Sequence, residues 1–93
     1  MSASVVRRIV VSGRVQGVGF RYALADVARE RAVNGWVRNR RDGDVEAMLA
    51  GPSEDVEAVI AWARRGPPAA RVSAVDVEAA TGSFDGFEIE ATV

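Results

Sequence analysis

Gly13-Arg14-Val15-Gln16-Gly17-Val18-Gly19-Phe20-Arg21 sets three glycines between a β-branched run ending at Ser12 and a run of helical periodicity beginning at Phe20. A strand that feeds a helix through such a turn can aim bare backbone N–H groups at an anion. Glycine permits positive φ and close approach of a ligand to the main chain, and a helix N-terminus adds unsatisfied donors and a partial positive charge. Phosphate is the natural guest. Arg21 falls in the first helical turn, where a planar guanidinium can grip two phosphate oxygens. Spelling excludes two familiar phosphate loops. A P-loop ends in Gly-Lys-Ser/Thr, whereas this run ends Gly19-Phe20-Arg21-Tyr22 and lacks both the lysine and the magnesium hydroxyl. A dinucleotide fingerprint needs a glycine where Tyr22 stands. Taken alone, the loop also fits a tight turn followed by a surface arginine.

Working outward, residues 5–12 are short and β-branched and read as a first strand. Phe20, Leu24, Val27 and Ala28 fall on one helical face, with Asp26, Arg29 and Glu30 on the other, which predicts a helix ending near residues 32–34. Residues 35–40 and 45–50 read as two further strands, joined by the favourable hairpin pair Asp42-Gly43. Ser53 is a candidate N-cap, Glu54 and Asp55 suit a first turn, and Val56, Val59, Ile60 and Ala63 form an apolar stripe. Arg64, Arg65 and Gly66 close that second helix, and Pro67 and Pro68 prevent its continuation. Residues 72–79 give a fourth strand, and the alternation of Phe87, Ile89 and Ala91 with Glu88 and Glu90 a short fifth.

The order βαββαβ plus a terminal strand predicts an α+β fold of the ferredoxin-like split βαβ type: one antiparallel sheet with both helices on one face. The expected strand order is 4-1-3-2, with the fifth beside the second. Residues 1–93 are expected to form a single domain, free of internal linkers and low-complexity tracts and, beginning at Met1, to stand alone. In this topology the first and second strands run the same way, so their C-terminal ends share a sheet edge. The loop 13–19, Arg21 and Asn39 then converge. The Met and Trp residues are expected in the core or at its margin.

Composition narrows the chemistry. With 93 residues, 48% hydrophobic and 27% charged, the chain is globular with a modest core. It has no cysteine and no histidine. Disulfides, thiol nucleophiles, the commonest general base and the usual transition-metal ligands are therefore excluded. Any catalysis must rest on positioning and electrostatics, with no cofactor and no metal expected. No apolar stretch approaches a membrane span, and nothing reads as a signal peptide; a cytoplasmic location is expected. All twelve basic residues are arginine. Residues 1–46 hold nine of them against five acids, and residues 47–93 three against eight. The loop thus lies in the basic half, which suits an anionic substrate.

Gly13, Val15, Gln16, Gly17, Val18, Phe20 and Arg21, followed by Gly35-Trp36-Val37-Arg38-Asn39 and then Gly43, Val45 and Gly51, resemble both signature stretches of the acylphosphatases. The resemblance continues through Arg65, Gly66, Pro67, Ala70, Val72 and Val75 to Phe87 and Ile89. It implies a small stand-alone enzyme that hydrolyses the carboxyl–phosphate bond of acyl phosphates by metal-free in-line attack of water. The family's catalytic arginine and asparagine carry over to Arg21 and Asn39. Its phosphate-binding loop carries over to Val15, Gln16, Gly17, Val18 and Gly19, leading into Phe20 and Arg21 at the start of the helix. The implied partners are a small-molecule acyl phosphate and inorganic phosphate as product and competitive inhibitor. No nucleic acid or membrane is expected, and the protein is expected to be a monomer.

Other readings compete residue by residue. Gln16 either aids the loop or caps it; Trp36 packs rather than stacks on substrate; Arg38, Arg40 and Arg41 are solvated; Asp42 and Asp44 are turn residues. Gly19 occupies a tolerant position and serves to loosen the loop, while the packing of residues 87–93 on the sheet stays open. The rival function is a non-catalytic phosphate- or nucleic-acid-binding module, since split βαβ folds host many activities. An RNA platform would show aromatics on its central strands, and the first and third strands carry none. A second rival is an interaction domain similar to the acylphosphatase-like segment of a larger maturation protein.

Overall fold

The computed structural model describes residues 3–93; Met1 and Ser2, included in the expected domain, lie outside the described residues. The elements run β1 (Ser4–Arg14), α1 (Phe20–Glu30), β2 (Asn34–Asn39), β3 (Val45–Pro52), α2 (Ser53–Ala63), β4 (Arg71–Ala79) and β5 (Phe87–Ile89). They form one five-stranded sheet of order β4-β1-β3-β2-β5, which is the expected order.

Alternation decides which way each side chain points. Ile9 and Val11 of β1, Val37 of β2, and Val45, Ala47 and Leu49 of β3 are fully buried against the helices. They meet Leu24, Ala25 and Ala28 of α1 and Val56, Val59 and Ala63 of α2, the two apolar helix stripes, in a single core. The intervening strand residues, including Arg8, Trp36, Arg38, Glu46 and Met48, turn to the opposite, open face. Trp36 and Met48, expected in the core or at its margin, are register partners on that open face and half-buried there.

Three local expectations are corrected. The sheet is not wholly antiparallel, because β5 pairs parallel with β2, Gly35 with Phe87 and Val37 with Ile89. β4, antiparallel to β1, ends at the edge where β1 and β2 begin; the connection 80–86 follows that edge, so β5 enters there and runs alongside β2. Ser53 is not the cap of α2 but its first residue: Pro52 is the N-cap, and no side chain caps the helix. α1 ends at Glu30, short of residues 32–34, because Ala32 takes φ 54 and the Val33 N–H turns back to the Ala28 carbonyl at 2.8 Å. The last residues do pack on the sheet. Past β5, the Glu90 N–H donates to Val37 O at 2.9 Å, the Val93 N–H to Asn39 O at 3.1 Å, and the Arg41 N–H to Val93 O at 2.7 Å.

Candidate active site

The loop between β1 and α1 is anchored at one end by Val15, 1% exposed, and at the other by Phe20, 2% exposed. Between them Gly17 and Gly19 take φ 72 and 79, a left-handed conformation that costs an L side chain about 1–2 kcal/mol. Gly19 is the N-cap of α1 and offers no side-chain cap, and the first turn carries no acidic residue. The first helical hydrogen bond to the cap is from Ala23 N–H to Gly19 O at 3.1 Å. The preceding amides, Phe20 to Tyr22, have no intrahelical acceptor. A helix that ends its positive pole in glycine, with no carboxylate of its own to neutralise it, is arranged for an external anion. Gly19 therefore does more than loosen the loop: it supplies the backbone conformation that starts the helix.

Arg21 is half-buried in that first turn. Its guanidinium lies 5.8 Å from the Tyr22 ring, and it makes no ion pair with a described residue. Gln16 shows what its side chain does. Its Nε2 donates to Arg40 O at 2.6 Å and to Asp44 O at 2.9 Å, tying the loop to both arms of the β2–β3 turn. Asn39, the last residue of β2, immediately precedes Arg40. It shares the parity of Gly35 and Val37, which places it on the helix side of the sheet with the loop and α1. Its Oδ1 is buried without a hydrogen-bond partner among the described residues. Buried polar atoms are normally satisfied, so an acceptor held in this condition at the loop edge is suited to a donor from outside the chain.

Across the sheet the chemistry differs. Glu46, 3% exposed, receives Arg8 Nε at 2.6 Å and Arg38 Nε at 2.8 Å, each arginine also pairing through a second nitrogen. Arg40 Nη1 stands 3.6 Å away, and Arg8 also pairs with Glu78 at 2.8 Å. Burial pushes the Glu46 carboxyl up, but the hydrogen bonds and charges of Arg38 and Arg8 outweigh it and hold the group below its ordinary range. Arg38 and Arg40 are thus ion-paired rather than simply solvated, while Arg41 is exposed as expected. Arg38 also lies 4.4 Å over the Trp36 ring. Glu46 escaped the sequence reading because a carboxylate in an alternating strand looks like a solvent-facing residue; the signal was Arg8, Arg38 and Glu46 sharing one face of three adjacent strands. Asp42 and Asp44 are turn residues, the Asp44 N–H donating to Asp42 Oδ1 at 3.0 Å.

Comparison with known proteins decides the family. The acylphosphatase family model matches residues 7–89. The chain belongs to the acylphosphatase family. An acylphosphatase of Cupriavidus necator is 51% identical over 92% of this chain and 94% of that protein. The structure of an acylphosphatase from Coxiella burnetii superposes with a TM-score of 0.90 at 34% identity, covering 94% of this chain and 93% of that one. The same fold occurs in a larger protein: HypF of T. kodakarensis matches with a TM-score of 0.80 at 36% identity over 94% of this chain but only 12% of its own. The surface beyond this site carries further clefts. One, lined by Ser4, Asn34, Gly51 and Phe84 among others, sits at the sheet edge where β1 and β2 begin, remote from the acylphosphatase loop. Another lies between α2 and β4.

Proposed function

We propose that this acylphosphatase hydrolyses the carboxyl–phosphate bond of acyl phosphates with Val15, Gln16, Gly17, Val18, Gly19, Phe20 and Arg21 holding the phosphoryl group and Asn39 orienting the attacking water. One observation carries the reading: Arg21, without an ion-pair partner among the described residues, stands in the first turn of a helix whose glycine cap and acid-free start leave its amides without a side-chain partner. The guanidinium and the amides would share the three non-bridging oxygens and stabilise their charge in transfer. The unpartnered Asn39 Oδ1 would accept a hydrogen bond from water and fix its lone pair on phosphorus.

The water oxygen forms the new P–O bond as the bond to the acyl oxygen breaks. The bonding pair leaves with the carboxylate, and the water's proton passes to phosphate or solvent. A carboxylate is a weak base, so its departure needs no general acid. Positioning and charge stabilisation suffice, which agrees with a sequence that offers neither His nor Cys. The same reading makes the protein a metal-free, monomeric, cytoplasmic enzyme without nucleic-acid or membrane partners. A nucleic-acid module is not favoured: the central strands β1 and β3 carry no aromatic residue, and on the open face Arg38 lies over the Trp36 ring. Among the described residues no helix is long and apolar enough to cross a membrane.

The test is phosphate release from benzoyl phosphate in the presence of EDTA. Turnover unaffected by the chelator and inhibited competitively by inorganic phosphate is the expected result. Absence of turnover by folded protein would reject the activity, and loss on chelation with recovery on adding magnesium would reject the metal-free mechanism.

A further inference from the structure

In-line displacement fixes where the acyl half of the substrate must lie, given the reading above. Water arrives on the side of the phosphorus that Asn39 serves, so the bond to the leaving carboxylate points the other way. Asn39 stands on β2, the loop leaves β1, and β4 is on the far side of β1 from β2. The acyl group therefore extends away from β2 toward β4, two strands separated by roughly 14 Å at about 4.8 Å per strand spacing.

On that side the segment between α2 and β4 forms a cleft of about 450 Å³ lined by Trp62, Arg65, Gly66, Pro67, Pro68 and Ala70. It lies at the same sheet edge as the loop, because Arg71 pairs with Arg14 and Val72 with Gly13: the segment enters β4 beside the point where β1 leaves the sheet. Phe20 joins the two places. The residue preceding Arg21, it packs its ring against Trp62 at a centroid distance of 5.4 Å. Gly66 lets the segment close onto that ring, since a Cβ there would stand 2.9 Å from Phe20 Cε2. The lining is an indole, two proline rings and a methyl group, with one cation and no carboxylate. Its size is in the range of small-molecule sites, roughly 300–1,000 Å³.

We propose that this cleft is the acyl subsite and that it takes a planar or extended apolar acyl group, an aroyl phosphate in preference to acetyl phosphate. Trp62 supplies the apolar wall, and Arg65 at the rim adds to the attraction for an anionic substrate. The subsite acts on the part of the substrate that does not react, so its loss appears in KM for large acyl groups and leaves small ones unaffected.

The experiment compares benzoyl phosphate with acetyl phosphate in wild-type protein and in Trp62→Leu. The variant is expected to lose about tenfold in kcat/KM for benzoyl phosphate, chiefly through KM, while acetyl phosphate turnover and inhibition by inorganic phosphate change less than about twofold. An equal loss for both substrates, or no loss, overturns the proposal. A second measurement keeps the cleft intact in case Trp62→Leu does not fold. Trp36 and Trp62 are the two tryptophans, so in Trp36→Phe, altered on the open face, Trp62 alone reports. Benzylphosphonate is expected to shift its emission where saturating inorganic phosphate does not; no response, or the same response to both, overturns the subsite. Failure of the underlying reading looks different. Wild-type protein that turns over neither acyl phosphate rejects the activity itself, whereas turnover with an unchanged preference in Trp62→Leu rejects the subsite alone.

Discussion

On the open face of the sheet, Arg8 and Arg38 close on Glu46 at 2.6 and 2.8 Å, so that both arginines and the carboxylate between them are ion-paired. At the loop edge, Arg21 has an aromatic neighbour at 5.8 Å and no ion-pair partner among the described residues. The residue type is the same and the surroundings are opposite. A paired arginine holds strands together, and its charge is spent on the fold; one that makes no ion pair with a described residue, beside amides without an intrahelical acceptor, has its charge available. The pairing, not the charge, distinguishes Arg8 and Arg38 from Arg21 in a chain whose twelve basic residues are all arginine.

The sharpest way to break the comparison is Arg21→Lys. It preserves the charge and removes the two-pronged grip, so kcat/KM is expected to fall by about a hundredfold or more, the loss of roughly 3 kcal/mol of transition-state stabilisation. Because Arg21 makes no ion pair with a described residue, the melting temperature should stay near wild type. Unchanged kinetics would return Arg21 to the class of surface residues.

Asn39→Ala is expected to lower kcat by about a hundredfold, the scale of a misplaced reactant, while inorganic phosphate binds as before, since loop and arginine remain. A fall in melting temperature with normal turnover of the folded fraction would make Asn39 structural instead.

Glu46→Gln tests the other side. It leaves Arg38 without its counter-charge and Arg8 with Glu78 alone, at an expected cost of about 2 kcal/mol and roughly 10 °C in Tm, with kcat reduced only a few-fold. The pH dependence has a definite sign. The folded-state pKa of Glu46 lies below its unfolded value, about 4.3, so its contribution is fully present above that value and disappears as pH falls through the folded one. The stability difference between wild type and Glu46→Gln should hold from pH 6 to 8 on the order of its full size and shrink below about pH 4. Thermal melts across this range check it; a difference that grows in acid would contradict the assignment.

Gly17→Ala carries the smallest effect. No atom lies within 4 Å of the position a Cβ would take, so the cost is conformational only, about 1 kcal/mol for φ 72. Phosphate affinity should weaken with the loop. Wild-type affinity and stability together would show that the loop adapts.

The fold was largely legible because its elements announce themselves by period and punctuation. The stripe from Phe20 to Ala28, the hairpin pair Asp42-Gly43 and the Arg-Arg-Gly-Pro end of α2 all agree with the structure. What stayed hidden depends on through-space neighbours. The parallel direction of β5 follows from the edge at which β4 delivers the chain, and no residue in 87–89 encodes it. Glu46 looks exposed in sequence and is buried because the two strands flanking its own bring Arg8 and Arg38 over it. The loop, Arg21 and Asn39 were legible as candidates, whereas Gln16 was ambiguous, since an amide that caps its own loop and one that reaches another hairpin have the same spelling.

That reach of Gln16 has an evolutionary consequence. Both acceptors are main-chain carbonyls, those of Arg40 and Asp44, and every amino acid carries one. The tether therefore reads the path of the hairpin and ignores its side chains. Residues 40, 41 and 44 can drift in charge and size, and with them the solubility of that corner of the molecule, without loosening the loop, provided the turn keeps its length and the glycine at 43 with its φ of 101.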